Sequence, residues 1–150
     1  DRAEVRRVFL LGSDLDTVTG AAQRLGRLPK VQVVDVSDGF SIWNDEAGTI
    51  ARIRRANPDI LLVGMGNPLQ EEWILRHRET LDTPLIMAVG AFFDFVAGAK
   101  PRAPDSLRRF RLEWAYRLAL EPRRLAGRYT LGIARFFAAV IAYRARRVLR

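Results

Sequence analysis

The sequence has 150 residues, 49% of them hydrophobic, and a formal net charge of +8, so the chain is long and apolar enough to bury one core. It contains no cysteine and a single histidine, which excludes disulfides and thiolate chemistry and leaves little for a histidine-based metal site. The N-terminus lacks a long apolar core, so we expect no signal peptide. Because the first residue is Asp1 and not methionine, we expect a piece of a longer chain.

The positive charge is concentrated in the C-terminal part. Residues 108–150 hold 12 arginines and two glutamates, a net charge of +10, whereas residues 1–107 hold 13 Lys and Arg against 15 Asp and Glu, a net charge of −2. The basicity therefore belongs to one segment of the chain. We predict a nucleotide-sugar-binding portion over residues 1–104 and a basic helical, membrane-associating appendage over residues 105–150.

The predicted elements of the first part alternate between strands and helices. Apolar runs predict strands at residues 6–12, 31–36, 59–65 and 84–90, with helices at 16–28, 45–56 and 69–81 between them. Continuous apolar strands joined by helices are typical of a parallel sheet covered on both faces. The stretch "GAKPRAP" marks a break, and the chain after it is predicted to be helical. The predicted class is α/β, a Rossmann-like parallel sheet with helices on both faces, followed by a basic α-helical C-terminal appendage.

Ligands of such sheets bind at the carboxyl ends of the strands, and the first strand ends in "GSDLD". Asp14 and Asp16 have the D-x-D spacing of a pair that binds metal–nucleotide complexes. However, aspartate immediately before a helix is a favoured N-cap, and Asp16 precedes the predicted helix. We therefore favour capping, and we predict no metal site and no cofactor.

The third strand runs into "GMGNPLQ", which has the features of an anion-binding turn. Gly64 and Gly66 allow a tight turn and a close approach of the backbone to a ligand. Asn67 fits an N-cap, and Pro68 fits the first helical position. The N–H groups of residues 69–71 would then face an anion. The stretch is neither a dinucleotide fingerprint nor a P-loop, and a well-capped strand–helix turn stays open as the alternative.

The second and fourth strands end in "SDGF" and "GAFFDF". These stretches place Asp38, Phe40 and Asp94 at the same sheet edge. An aromatic ring can stack on a nucleobase, and a carboxylate can accept hydrogen bonds from ribose hydroxyls or base N–H groups. The alternative is that the four phenylalanines of these stretches are core residues, which we expect of three of them. His77 is predicted to be a surface residue rather than a ligand.

Three stretches together resemble the WecG/TagA/CpsF glycosyltransferases, which make bacterial surface polymers. They are "DILLVGMGNPLQEEWI", "AVGAFFDFVAGAKPRAP" and "LEWAYRLALEPRRLAGRY", and the resemblance runs from about residue 6 to about residue 130. It implies a Rossmann-like domain that takes a UDP-sugar, such as one of N-acetylmannosamine or a related hexose. The implied acceptor is linked to polyprenyl diphosphate at the cytoplasmic face of the membrane, in surface polysaccharide or teichoic acid synthesis.

The resemblance also implies site residues. The family's G-x-P-x-Q-E stretch puts Gln70 near the UDP diphosphate, its D-G-[YF] stretch puts Phe40 against the uracil, and its G-x-F-D stretch puts Asp94 in the nucleotide pocket. With Gly64 from the glycine-rich turn, the predicted substrate-binding residues are Asp38, Gly39, Phe40, Gly64, Gly66, Pro68, Gln70 and Asp94.

Three arginines are the implied catalytic residues. The family's L-E-W-x-x-R and E-P-R-R stretches match Arg117, Arg123 and Arg124, which would stabilise the diphosphate or the acceptor lipid phosphates. The sequence departs from the family in the first loop, "GSDLDTVTGAA", whose role stays open. Family members are also longer at the N-terminus, where their proposed catalytic base, an aspartate, lies. We therefore expect this chain alone to be a weak or inactive enzyme.

Residues 121–150 are predicted to form an amphipathic helix. Their longest uncharged run, "FFAAVIAY", has eight residues, far fewer than the roughly 20 needed to span a bilayer. An apolar face beside many arginines suits the surface of an anionic membrane. The alternative is that this face packs on the chain's own sheet or on a partner subunit of a homo-oligomer.

Two other function classes stay open at this point. The basic tail would also suit a nucleic-acid-binding protein, but aromatic residues interleaved with exposed basic faces are not obvious in the domain itself, and we expect no nucleic-acid partner. The other class is a non-catalytic nucleotide-binding Rossmann-like module.

Overall fold

The computed structural model describes residues 5–99, 104–110, 112–120, 122, 137–141 and 143–144. The chain divides into two compact units, Asp1–Pro101 and Arg102–Arg150. The elements of the first unit are β1 (Arg6–Gly12), α1 (Leu15–Leu25), β2 (Val31–Ser37), a 3₁₀ turn (Ser41–Trp43), α2 (Glu46–Ala56), β3 (Ile60–Gly64), α3 (Leu69–Leu81), β4 (Leu85–Ala88) and α4 (Phe92–Ala97). Those described in the second unit are α5 (Asp105–Arg109) and α6 (Glu113–Leu120).

The four strands form one parallel sheet in the order β2-β1-β3-β4. Parallel neighbours cannot be joined by a tight hairpin, so each connection crosses over the sheet, and here each one contains a helix. The central strands β1 and β3 carry the most continuous apolar runs because both of their faces are covered. The predicted α/β class with a Rossmann-like parallel sheet is confirmed for this unit.

The sheet separates two apolar clusters. Phe9 of β1 packs in a cluster with Trp73 of α3, whereas the next residue, Leu10, packs in a cluster with Phe93 of α4. Successive residues of a strand point to opposite faces, and all four of these side chains are fully buried. Helices therefore cover both faces of the sheet, as predicted.

The first helix begins one residue earlier than predicted. Asp14 is its N-cap, and its carboxylate accepts hydrogen bonds from the N–H and the hydroxyl of Thr17, both at 2.8 Å. Asp16 lies in the first turn, so its assignment as the N-cap is wrong. The cap falls on Asp14 because this residue, with extended backbone dihedrals, places its side chain back over the first free N–H groups.

The predicted surface position of His77 is also wrong. Its side chain is 14% exposed, and Nε2 lies 2.9 Å from Oε1 of Glu46, the first residue of α2. Its ring centroid lies 5.1 Å from that of Trp73. The helical pattern of α3 alone does not reveal that α2 covers this part of its surface.

The second unit contributes helical segments. Besides α5 and α6, residues 137–141 and 143–144 are helical, with Phe137, Ile141 and Tyr143 largely exposed. The predicted continuous helix over 121–150 falls mostly outside the described residues. Within the described ranges, no helix combines the length and the apolar character that crossing a membrane requires.

The end of β3 is a position where the packing demands glycine. A Cβ on Gly64 would lie 2.8 Å from ring carbons of Phe93 and 2.9 Å from the carbonyl oxygen of Gly90. Phe93 is fully buried, so its ring cannot move away from an added methyl group without disturbing its neighbours. The glycine was expected to serve a turn or a ligand, but the structure assigns it to packing between β3 and α4.

Replacing this glycine tests that packing. We expect Gly64→Ala to lower the free energy of unfolding by about 1–3 kcal/mol, because the added methyl group overpacks a buried site. The matched control is Gly20→Ala in α1, whose Cβ would lie at an ordinary 3.4 Å from Cβ of Ala97 and which should be neutral or stabilising by up to about 1 kcal/mol. Urea unfolding measures both; equal effects of the two substitutions would contradict the packing role of Gly64.

Candidate functional site

The carboxyl ends of the four strands lie at one edge of the sheet. Leu11 of β1 pairs with Ser37 of β2 and with Val63 of β3, and Val63 pairs in turn with Ala88 of β4. The loops that follow these residues therefore start at the same level. Open α/β sheets bind their ligands outside this edge, and the eight predicted substrate-binding residues all lie in or beside these loops.

Asp38 shapes the loop after β2. Its Oδ1 accepts hydrogen bonds from the N–H groups of Phe40, at 2.9 Å, and Ser41, at 2.6 Å, while its Oδ2 accepts one from the Ser41 hydroxyl at 2.6 Å. These bonds, that of the Ser41 hydroxyl foremost, hold the pKa of Asp38 below its usual value. The carboxylate is thus committed to forming the 3₁₀ turn that follows.

The same loop presents an aromatic ring to solvent. Phe40 is 70% exposed. Exposed apolar side chains occur elsewhere on this surface, so it is the position of Phe40 in a strand-end loop that makes it a candidate for contact with a ligand. The neighbouring Gly39 is buried, and a Cβ there would lie 3.0 Å from Cα of Gly12 and 3.2 Å from the nitrogen of Ser13. Gly39 therefore lets the loop after β2 pack directly on the loop after β1. This packing fixes the backbone next to Phe40.

The phenylalanines after β4 differ from one another. Phe93 is fully buried, Phe95 is partly buried, and Phe92 is 37% exposed. The expectation that three of the four phenylalanines belong to the core therefore holds fully for Phe93 alone. Phe92 is the first residue of α4, and its ring centroid lies 6.1 Å from that of Phe93.

The turn after β3 differs from the predicted one at its helix start. The helix α3 begins at Leu69 with Pro68 at the cap position, and no side chain caps it. The assignments of Asn67 as the N-cap and Pro68 as the first helical residue are therefore wrong by one position. Gly66 has φ +84°, and no atom would lie within 4 Å of a Cβ built on it. Glycine is needed there for the backbone conformation, in a turn that is open on that side.

Gln70 connects the turn after β3 with the loop after β4 through a hydrogen bond of its side chain. It is 5% exposed, its Oε1 accepts a hydrogen bond from the N–H of Gly90 at 3.0 Å, and its Nε2 donates to Oε1 of Glu71 at 2.8 Å. The hydrogen bond from Gln70 is the main reason why the pKa of Glu71 is lowered. The backbone N–H of Gln70 donates to the carbonyl of Gly66 at 3.0 Å, so it does not face an anion as predicted.

Asp94 lies in the first turn of α4 and is partly buried. Its Oδ1 accepts a hydrogen bond from the hydroxyl of Ser13 at 3.0 Å. Ser13 itself was missed by the sequence reasoning, which considered only the aspartates of the "GSDLD" stretch. The one available signal was its position directly after a strand that ends in glycine.

Two hollows in the surface of the first unit lie away from these loops. One, of about 630 Å³, lies between α1 and the outer strand β2, and the other, of about 430 Å³, lies between the C-terminal ends of α2 and α3. Neither is lined by a predicted site residue. We propose the strand ends as the site, because the loops after all four strands start at this edge and hold the predicted binding residues, whereas the two hollows do not.

The predicted catalytic arginines belong to the second unit. Arg117 lies in α6, and Arg123 and Arg124 lie outside the described residues. Their catalytic role stays a prediction.

The contact between Asp38 and Ser41 makes stability depend on pH. A carboxylate whose pKa is lowered on folding stabilises the folded state above its unfolded pKa of about 3.9, and this contribution is lost as the pH falls through the folded value. We expect Ser41→Ala to raise the pKa of Asp38 and to lower the melting temperature at pH 7, with an effect on melting that disappears as the pH falls through the lowered pKa of Asp38. NMR titration of the Asp38 carboxyl carbon and melting curves measure both. Thr80→Ala, at an exposed hydroxyl of α3, is the control; an Asp38 pKa that is unchanged in Ser41→Ala would contradict the assignment.

Comparison with known proteins identifies the family of this chain. Residues 1–150 match the sequence profile of the glycosyl transferase WecG/TagA/CpsF family. An N-acetylglucosaminyldiphosphoundecaprenol N-acetyl-beta-D-mannosaminyltransferase of Staphylococcus aureus is 36% identical over 121 residues, which cover 80% of this chain and 47% of the relative. The protein of the same description from Bacillus subtilis is 34% identical over 120 residues, which cover 79% of this chain and 46% of the relative. The chain thus spans about half the length of the curated relatives it matches. On this match, the chain belongs to the WecG/TagA/CpsF family of glycosyl transferases.

Proposed function

We propose that this chain binds the nucleotide of a UDP-sugar for a glycosyltransferase of bacterial surface polysaccharide or teichoic acid synthesis. The transferred sugar would be N-acetylmannosamine or a related hexose, and the acceptor would be linked to polyprenyl diphosphate. The observation that carries the proposal is the convergence of an exposed ring, an open glycine turn and a carboxylate at one sheet edge. Family membership and the activity named for the two relatives support it.

Three groups would contact the nucleotide. The exposed ring of Phe40 would stack on the uracil, and Asp94 would accept hydrogen bonds from the ribose or the base. The open turn at Gly66 would let the backbone approach the diphosphate. Asp38 and Gln70 would act indirectly, since their side chains hold the loops around these groups.

The transfer itself needs further groups. The acceptor hydroxyl attacks the anomeric carbon, the bond between that carbon and the diphosphate oxygen breaks, and UDP leaves with the electron pair. The hydroxyl proton needs a base, and the developing charge on the diphosphate needs cations, which we assign to Arg117, Arg123 and Arg124. Asp38 is committed to its own loop and Asp94 is assigned to the nucleotide. We therefore propose that the base comes from outside this chain and that the chain alone transfers sugar weakly or not at all.

Titration of UDP tests the site. We expect the wild type to bind UDP and Phe40→Ala to weaken binding at least about 5-fold, because stacking on one base contributes roughly 1–3 kcal/mol. Leu75→Ala removes another apolar side chain, 68% exposed on α3, and should bind like the wild type. Calorimetry with UDP, NAD and a single-stranded RNA separates the function classes. Tighter binding of NAD or RNA than of UDP, or equal UDP affinity of Phe40→Ala and wild type, would contradict the proposal.

We further propose that the second unit docks the enzyme peripherally on the cytoplasmic face of the membrane. A polyprenyl-linked acceptor stays in the bilayer, so the enzyme must come to it. The exposure of Ile141 and Tyr143 supports an apolar face that could contact lipid, and the arginines of this segment suit anionic headgroups. The competing arrangement is that this face packs against a second copy of the chain.

Vesicle sedimentation tests this docking. We expect binding to require anionic lipid and to weaken with salt, since each basic residue near the headgroups contributes about 1 kcal/mol. Deleting residues 125–150 should abolish sedimentation while leaving UDP affinity unchanged, which serves as the control for folding. Sedimentation of the truncated protein, or indifference of the intact protein to anionic vesicles, would assign the tail a structural role. In the second case, light scattering would show a dimer.

A further inference from the structure

We infer that Ser13 is a positioning residue of the nucleotide site. It holds Asp94 and the loops after β2 and β3 in one arrangement. The inference rests on the proposed function, since it concerns the site proposed there for UDP. The sequence predicted helix capping for the aspartates of the loop after β1 and no role for Ser13.

Ser13 makes hydrogen bonds to three separate segments of the sheet edge. Its N–H donates to the carbonyl of Gly64 at the end of β3, at 3.1 Å, and its carbonyl accepts from the N–H of Gly39 after β2, at 2.8 Å. Its hydroxyl donates to Oδ1 of Asp94 in α4 at 3.0 Å. One residue therefore links the loop that bears Phe40, the start of the glycine turn and the carboxylate of the site.

The backbone of Ser13 indicates that the hydroxyl is needed. Its φ is +57°, in the left-handed region, where a Cβ is unfavourable and glycine is the residue that fits without strain. The two backbone hydrogen bonds would form equally well with glycine at this position. Serine adds the hydroxyl that donates to Asp94. We therefore attribute the presence of serine in this strained backbone conformation to that hydrogen bond.

The hydroxyl would act by fixing the orientation of the carboxylate. An aspartate side chain can adopt several rotamers, and each one lost on binding weakens the affinity. A donor on Oδ1 selects one orientation before the ligand arrives, so that a ribose hydroxyl or base N–H meets a preset acceptor. Ser13 would thus act through Asp94 and need not touch the nucleotide.

Two substitutions separate this role from a contribution to folding. Ser13→Ala removes the hydroxyl and keeps the backbone strain, whereas Ser13→Gly removes both. We therefore expect Ser13→Gly to melt at a higher temperature than Ser13→Ala, while both bind UDP more weakly than the wild type by the same factor, about 3- to 10-fold, the range for one hydrogen bond. A purely structural role predicts that affinity follows melting temperature instead.

A double-mutant cycle tests whether the effect passes through Asp94. In an Asp94→Ala background, Ser13→Gly should change UDP affinity by less than a factor of two, because the group that it orients is gone. Thr80→Ala, at an exposed hydroxyl of α3, is the control in both backgrounds. Full additivity of the two substitutions, or wild-type UDP affinity of Ser13→Gly, would overturn the inference.

A measurement without ligand tests the role of Ser13 independently of the proposed function. NMR scalar couplings give the χ1 angle of Asp94 in the free protein. We expect one dominant rotamer in the wild type and a measurable shift of the rotamer populations in Ser13→Gly. If the wild type does not bind UDP, the proposed function fails, and this measurement still decides the role of Ser13. A single unchanged rotamer in Ser13→Gly would overturn it.

Discussion

Backbone contact between glycines holds the strand ends of this protein together, and the rest of the site depends on it. A Cβ on Gly12 would overlap the carbonyl of Gly64, and one on Gly39 would lie 3.0 Å from Cα of Gly12. A Cβ on Gly64 would meet the buried ring of Phe93. Side chains at these points would push the strands and α4 apart. Because they are absent, loops from distant parts of the sequence meet at fixed mutual positions.

Polar side chains then hold these loops before any ligand arrives. Asp38 builds its own turn, Gln70 joins the start of α3 to Gly90, and the hydroxyl of Ser13 reaches Asp94. Under the proposed function, the recognition of a nucleotide would fall to Phe40, the open turn at Gly66 and the oriented carboxylate of Asp94. Sites on such a preset framework bind with little loss of conformational entropy. Because the carboxylate of Asp38 is used inside its own turn, it is a poor candidate for the base of a transfer reaction.

The sheet was predictable because its central strands are buried on both faces and read as continuous apolar runs. The fourth strand was predicted over residues 84–90, but β4 covers only Leu85–Ala88, because the chain leaves the sheet before it enters α4. The placement of Phe40, Gly66 and Asp94 at one edge of the sheet followed from the parallel topology. The partners of Gln70 and Ser13, 20 and 81 residues away, could not be predicted, because no local pattern encodes such contacts. The family came from the resemblance of three motifs and not from the fold, which serves many functions.

The proposed binding of a uridine nucleotide at the strand-end loops of the first unit can be examined without any substitution. Mapping of backbone amide chemical shifts during titration with UDP locates the ligand on the protein. We expect the largest changes in residues 38–41, 64–67 and 90–94. Changes confined to the hollow between α1 and β2, around Gln23 and Val33, would contradict it.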